Sequence, residues 1–314
     1  MFRSWQGCFV LTGIVFVLQL FPYTGIFLMM LAAPYWSVLL INLAFALMIR
    51  DSWTGAQPRW LMLFPALWFG GYFCVAAVSH WQAHNFNATI VAANAHKHIS
   101  FDQKKYDILI EPDHRDSSNG SSLTPDVMVK WFGVTRAYQV IGPSPGDIQG
   151  YELTATQCPG TMGAGAAGGG TWQRLIDGGY GTGRKMTFAR NLCLFISPSK
   201  PQRPTIRIRP QPQVESKGLT TRASQDIVVA TPDGRAIVLR SGWADPLSWI
   251  PQPVMGCWLN SGQPAWQCDA SFLHEKLYDR KRDRTPNGAD DVVGRALGLV
   301  KTSVRERYLG VEWR

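Results

Sequence analysis

Four histidines crowd into one short stretch: His80, His84, His96 and His98. Imidazole nitrogens suit zinc and copper. His80 and His84 are four apart, so one helical face would present both, and an extended His96-x-His98 would add two more ligands. No Glu stands in the position of an H-E-x-x-H hydrolase pattern. The plainer reading is a set of wet or hydrogen-bonded rings near a membrane surface. Four cysteines form the second set. Cys158, Cys193, Cys257 and Cys268 all follow the apolar N-terminal region, and no C-x₂-C pair is present. That spacing disfavours a zinc site and favours two disulfides. Of the three possible pairings, Cys257–Cys268 closes a short Gly/Pro-containing loop, which leaves Cys158–Cys193. Cys8 and Cys74 lie in apolar runs and read as inert small hydrophobes.

Other motifs are weaker. Gly163, Gly165 and Gly168 spell G-x-G-x-x-G, but Cys158-Pro159 precedes them where a dinucleotide fold needs a strand. Gly183 is followed by Arg184, which breaks the phosphate-loop pattern. The glycine-rich stretch 160–183 therefore reads as a surface loop. Cys268 with the nearby His274 would make a thiolate–base pair only if the thiol were free. No G-x-S-x-G elbow is present, so no catalytic residue and no cofactor is implied. The basic run 276–284 (KLYDRKRDR) reads as a solvated segment, and no nucleic-acid-binding motif accompanies it.

Residues 241–267 are the most unusual part of the chain. Trp243, Trp249, Trp258 and Trp266 stand among four prolines, beside Cys257 and Cys268. Tryptophan buries a large area and keeps an N–H handle, which suits binding surfaces. A loop stiffened by proline and a disulfide loses little entropy on binding. The four tryptophans are the candidate partner-binding residues; the alternative is that they fill the core of a strand-poor region.

The elements that would carry these groups divide sharply. The chain has 314 residues and a formal net charge of +9. Residues 1–79 hold only four charged side chains: Arg3, Arg50, Asp51 and Arg59. A bilayer crossing takes about 20 apolar residues. The uncharged runs 8–49 and 60–79 therefore predict three transmembrane helices, with the first break at Pro22–Gly25 or at Ala33–Trp36. The apolar run extends too far for a cleavable signal peptide. Arg3 and the loop 50–59 fall on one side, which the positive-inside rule assigns to the cytoplasm. The rest of the chain then lies beyond the membrane.

Residues 80–100 read as a helical stalk and 101–314 as a β-rich domain, α+β or sandwich-like. Thr124-Pro125-Asp126 opens a short helix. Residues 105–111, 151–156, 186–197, 205–209, 226–230 and 235–240 are strand candidates. Thr231-Pro-Asp-Gly234 marks a hairpin between the last two. TIRIR at 205–209 alternates apolar and charged residues, and its flanking prolines point to a sheet edge. Residues 287–300 predict an amphipathic helix.

The leading expectation is a non-enzymatic envelope protein in a bacterial inner membrane, its C-terminal domain in the periplasm. It would be an accessory or assembly subunit of a larger membrane complex. Its expected partners are the lipid bilayer and proteins of the membrane or envelope, with no nucleic acid. The alternatives are an inhibitor or immunity factor against an extracytoplasmic protein, or a metal-dependent anchored enzyme using the histidine cluster.

Overall fold

The computed structural model describes residues 4–111, 123–142, 147–154, 171–177, 187–259, 266–271, 287–302 and 304–307. The chain divides into two compact units. One comprises Met1–Asn85, Lys217–Thr221 and Asp245–Tyr278; the other comprises Phe86–Ser216, Arg222–Ala244 and Asp279–Arg314.

The first unit is built on apolar helices. Helix α1 spans Ser4–Gln19 and α2 spans Pro22–Met30, and the pair is bent by 119°. Both candidate breaks in the first apolar run are used. Pro22 opens α2, because a proline nitrogen has no hydrogen to donate to the preceding turn. Ala32 then takes a left-handed conformation, followed by a 3₁₀ turn at Ala33–Tyr35. Helix α3 spans Trp36–Trp53. Arg59–Asn94 forms one long helical stretch. It consists of a 3₁₀ turn (Arg59–Met62), a single α turn, α4 (Leu63–Pro65), a π-helical segment (Ala66–Gly71) and α5 (Tyr72–Asn94).

Trp36–Trp53 and Arg59–Asn94 are each long and apolar enough to cross a membrane, and α1 with α2 qualifies only as a bent pair. Two membrane-length helices and one bent pair therefore stand where three simple spans were expected. The nine residues of α2 rise only about 14 Å, short of a hydrocarbon core of about 30 Å. Aromatic contacts join the helices. The Phe9 and Phe45 ring centroids lie 5.4 Å apart, and Phe45 stacks on Trp68 at 5.2 Å.

The second unit is organised by a mixed nine-stranded sheet in the order β4-β5-β3-β2-β1-β6-β8-β7, with β9 also pairing with β8. The strands are β1 (Asp107–Ile110), β2 (Arg136–Val140), β3 (Ile148–Thr154), β4 (Thr171–Asp177), β5 (Thr187–Pro198), β6 (Thr205–Pro210), β7 (Val214–Ser216), β8 (Thr220–Ala230) and β9 (Ala236–Pro246). Parallel pairing flanks β1 on both sides, with β2 and β6. A parallel neighbour needs a crossover, and α6 (Pro125–Phe132) lies between β1 and β2 in the chain. The sequence signal for this helix is met, with Pro125 at its first turn. Thr124 bonds the Asp126 side chain rather than a backbone N–H, and Gly133 closes the helix at φ 68°.

Met128, Val129 and Phe132 of α6 and Val292, Val293 and Ala296 of α7 (Ala289–Ala296) share one core with Ile108, Ile110, Ile206 and Ile208. Helix α7 lies within the predicted 287–300. A further short helix, α8, covers Val304–Arg307. Lys301 ties the segment after α7 back to that helix, 2.6 Å from Asp290 and 3.1 Å from Asp291.

Three expectations need correction. Strand β6 lies inside the sheet, between β1 and β8, not at an edge. Its prolines do not interrupt the ladder: Pro204 precedes the strand and accepts a bond from the Asp107 N–H, and Pro210 ends it. The glycine-rich stretch is not all loop, because Thr171–Asp177 forms β4; its remaining residues, with Gly163, Gly165, Gly168 and Gly183, lie outside the described residues. Nor is 241–267 strand-poor. Strand β9 runs to Pro246, and β10 (Val254–Leu259) pairs antiparallel with β11 (Trp266–Ser271) as a separate two-stranded sheet in the first unit. The larger sheet with its packed helices is the α+β alternative, not a sandwich. Gly234, at φ 87°, completes the predicted turn between β8 and β9. The Asn94 amide completes the edge of β9, accepting from the Arg240 N–H at 2.9 Å and donating to its carbonyl at 2.7 Å.

Candidate functional site

The tryptophan- and proline-rich segment is held within the helical unit by polar side chains spaced along apolar helices. Ser79 Oγ donates to the Leu219 carbonyl at 2.6 Å and accepts the Leu247 N–H at 2.9 Å. The Tyr72 hydroxyl donates to the Ser248 carbonyl at 2.8 Å. Asn42 Nδ2 donates to the Pro251 carbonyl at 2.8 Å, and its Oδ1 accepts the Trp68 indole N–H at 3.2 Å. Ser37 Oγ donates to the Pro253 carbonyl at 2.7 Å and accepts the Met255 N–H at 2.9 Å. Gln19, fully buried at the end of α1, accepts the Cys257 N–H through Oε1 at 3.0 Å. Its backbone carbonyl accepts the Trp266 indole N–H at 3.2 Å.

These bonds answer a physical need. Irregular backbone carries donors and acceptors that must find partners wherever water is excluded. Proline at 246, 251 and 253 removes three donors outright. Side chains reaching across from the helices satisfy the carbonyls of Leu247, Ser248, Pro251 and Pro253. The hairpin is closed by the Cys257–Cys268 disulfide, whose two residues stand directly opposite in the β10–β11 register. Gly25 of α2 lies where a Cβ would overlap the Trp266 ring, so the close approach of helix and hairpin depends on that glycine.

The candidate residues are distributed as follows. His80 bonds the Leu247 carbonyl through Nε2 at 3.0 Å and stacks on Trp249, with centroids 4.2 Å apart and planes 15° apart. His84, His96 and His98 are exposed. Among the described residues, no three His, Cys, Asp or Glu side chains form a group that could hold a metal ion. Trp249 is exposed, Trp258 and Trp266 are half-buried, and Trp243 is half-buried in the other unit. The Cys257–Cys268 pairing is as expected. Cys193 is also disulfide-bonded, Cys158 lies outside the described residues, and Cys8 and Cys74 are free. His274 and the basic run 276–284 also lie outside the described residues. The polar helix residues were missed. Gln19, Ser37, Asn42 and Ser79 lie in runs that count as apolar overall, and their presence there was the available signal.

A second polar cluster lies in the sheet unit, where Gln103, Tyr106, Asp107, Val134, Thr135, Arg136 and Arg203 line a small cleft. Buried Asp107 accepts the Gln202 and Arg203 N–H groups, each at 3.1 Å. Arg136 forms a fork on Glu152, its partner in the β2–β3 register, at 2.9 and 3.2 Å. That fork raises the guanidinium pKa further, and burial pushes the neighbouring Tyr138 hydroxyl up. The Arg203 guanidinium donates to the Gln103 carbonyl at 2.7 Å. The cleft's charges hold strands and loops together. Comparison with protein-family models, with curated proteins and with solved structures finds no match to this chain.

Proposed function

We propose that this chain is a membrane-anchored envelope protein whose β-rich body lies beyond the membrane and serves as a non-catalytic accessory or assembly subunit of a larger membrane complex. In this reading, residues 1–79 form the membrane domain, 80–100 a helical stalk and 101–314 a β-rich domain, except that Asp245–Tyr278 belongs to the helical unit. The bacterial inner membrane, with the body in the periplasm, is the location that fits the arginine pattern at Arg3, Arg50 and Arg59.

The observation that carries the reading is the Cys257–Cys268 disulfide in a chain that also holds membrane-length apolar helices. Disulfides persist in oxidising compartments and are rare in the cytosol. The bonded state of Cys193 adds to this. A binding role fits the described polar clusters, whose side chains are engaged in holding the fold. The test is crosslinking in intact membranes, then affinity purification of the tagged chain. A stoichiometric envelope protein is the expected result. Recovery of the chain alone, across several crosslinker chemistries, would remove the subunit reading.

A further inference from the structure

The order in which the tryptophan-rich segment meets the helices describes an excursion into the depth of the membrane. Take the charged ends of α3 and of the long helix, at Arg50 and Arg59, as the level of one membrane surface. At 1.5 Å per residue, Ser79 lies about 30 Å above it, Tyr72 about 20 Å, Asn42 about 12 Å and Ser37 about 20 Å. Along the chain, Leu247 bonds at Ser79, Ser248 at Tyr72, Pro251 at Asn42 and Pro253 at Ser37. The backbone thus reaches roughly the middle of a 30 Å hydrocarbon core at Pro251 and turns back toward the far side by Pro253.

We infer that residues 247–253 form a re-entrant element whose outer face contacts lipid acyl chains. The burial pattern fits this placement. Leu247, Ser248, Pro251 and Pro253 are buried, whereas Trp249 is 51% and Ile250 64% exposed. Non-helical backbone survives at that depth only where protein covers its polar groups. Here helix side chains cover the carbonyls of Leu247, Ser248, Pro251 and Pro253, Ser248 Oγ accepts the Ile250 N–H at 3.3 Å, and the Trp249 and Ile250 side chains remain exposed. On the helices that hold this segment, Leu39 of α3 and Leu67 of the long helix are likewise exposed, at 69% and 72%. An acyl-chain environment suits both surfaces alike.

The inference rests on the membrane reading of the helices, so its test carries a control for that reading. In a Cys8→Ser, Cys74→Ser background, Ile250→Cys and Leu67→Cys are each spin-labelled without reductant and reconstituted into phosphatidylcholine vesicles. Collision with oxygen, which partitions into lipid, is compared with collision with a water-soluble nickel chelate. Both positions are expected to favour oxygen. If Leu67→Cys favours oxygen while Ile250→Cys favours nickel, the re-entrant element is overturned and the membrane reading stands. If both favour nickel, both fail.

Discussion

The two units satisfy their polar groups by different routes. In the sheet unit, regular ladders carry the backbone, and charged pairs such as Arg136–Glu152 and Arg240–Asp226 sit across neighbouring strands. Its stability rests on burying side chains such as Ile206 and Ile208 away from water. In the helical unit, single polar side chains on separate helices hold one irregular segment distant in sequence. Lipid tails are as apolar as leucine, so helix burial there gains little from the hydrophobic effect, and packing and hydrogen bonds do the holding. A cavity should therefore be the worst injury to the first kind of structure, and a lost hydrogen-bonding side chain a characteristic injury to the second.

The largest effect is expected from Ile206→Ala, which empties a fully buried position in β6. It should cost about 3–4 kcal/mol, read from denaturant unfolding of the whole chain in detergent by the β-sheet circular dichroism signal. Ile41→Ala in α3 should cost clearly less, and equal costs would erase the contrast between the units. Next comes the pair Cys257→Ser with Cys268→Ser. Removing a short-loop disulfide should cost about 2–3 kcal/mol. Limited proteolysis should show the loss first as cleavage between 245 and 271.

Lys301→Ala follows. It leaves the carboxylate of Asp290, whose side chain is only 5% exposed, without its 2.6 Å partner. The cost should be about 2 kcal/mol. Lys301 also gives a pH dependence. Burial lowers its pKa, but Asp290 and Asp291 more than offset this, so the folded value lies above that of an ordinary lysine. The pair's stabilisation is therefore complete below the ordinary lysine range and is lost as pH rises through the raised value. Alkaline unfolding should lose this dependence in Lys301→Ala. Asn42→Ala, which releases the Pro251 carbonyl, should cost about 1–2 kcal/mol and raise hydrogen exchange within 247–253 while leaving the sheet unit protected. Smallest of all is Arg240→Ala. Its pair with Asp226 is about half exposed, so a few tenths of a kcal/mol is expected.

Local signals account for what was legible. Uncharged runs marked the helices, the alternating residues of 205–209 and the apolar β-branched run of 226–230 marked strands, Thr124-Pro125-Asp126 opened α6, and Pro232-Asp233-Gly234 turned the hairpin. The short loop between Cys257 and Cys268 pointed to their pairing. What escaped notice depends on partners far apart in sequence. Strand β6 looked like an edge because prolines bracket it, and only its pairing with β1 reveals an interior position. Strands β10 and β11 are six residues each, set among prolines and glycines, and gain their register from the disulfide and from Gln19 and Ser37. A serine or asparagine inside an apolar run shows that something polar faces it. It does not say what, so the docking of 247–253 had no readable signature.

The side of the membrane on which the sheet unit lies is the claim on which most depends. Val214 of β7 is 67% exposed and lies far in sequence from the apolar helices. In a Cys8→Ser, Cys74→Ser background, Val214→Cys should react with a membrane-impermeant maleimide in intact cells whose outer envelope has been permeabilised. Labelling before lysis is the expected result. Labelling only after the inner membrane is broken would place the sheet in the cytoplasm and contradict the envelope assignment.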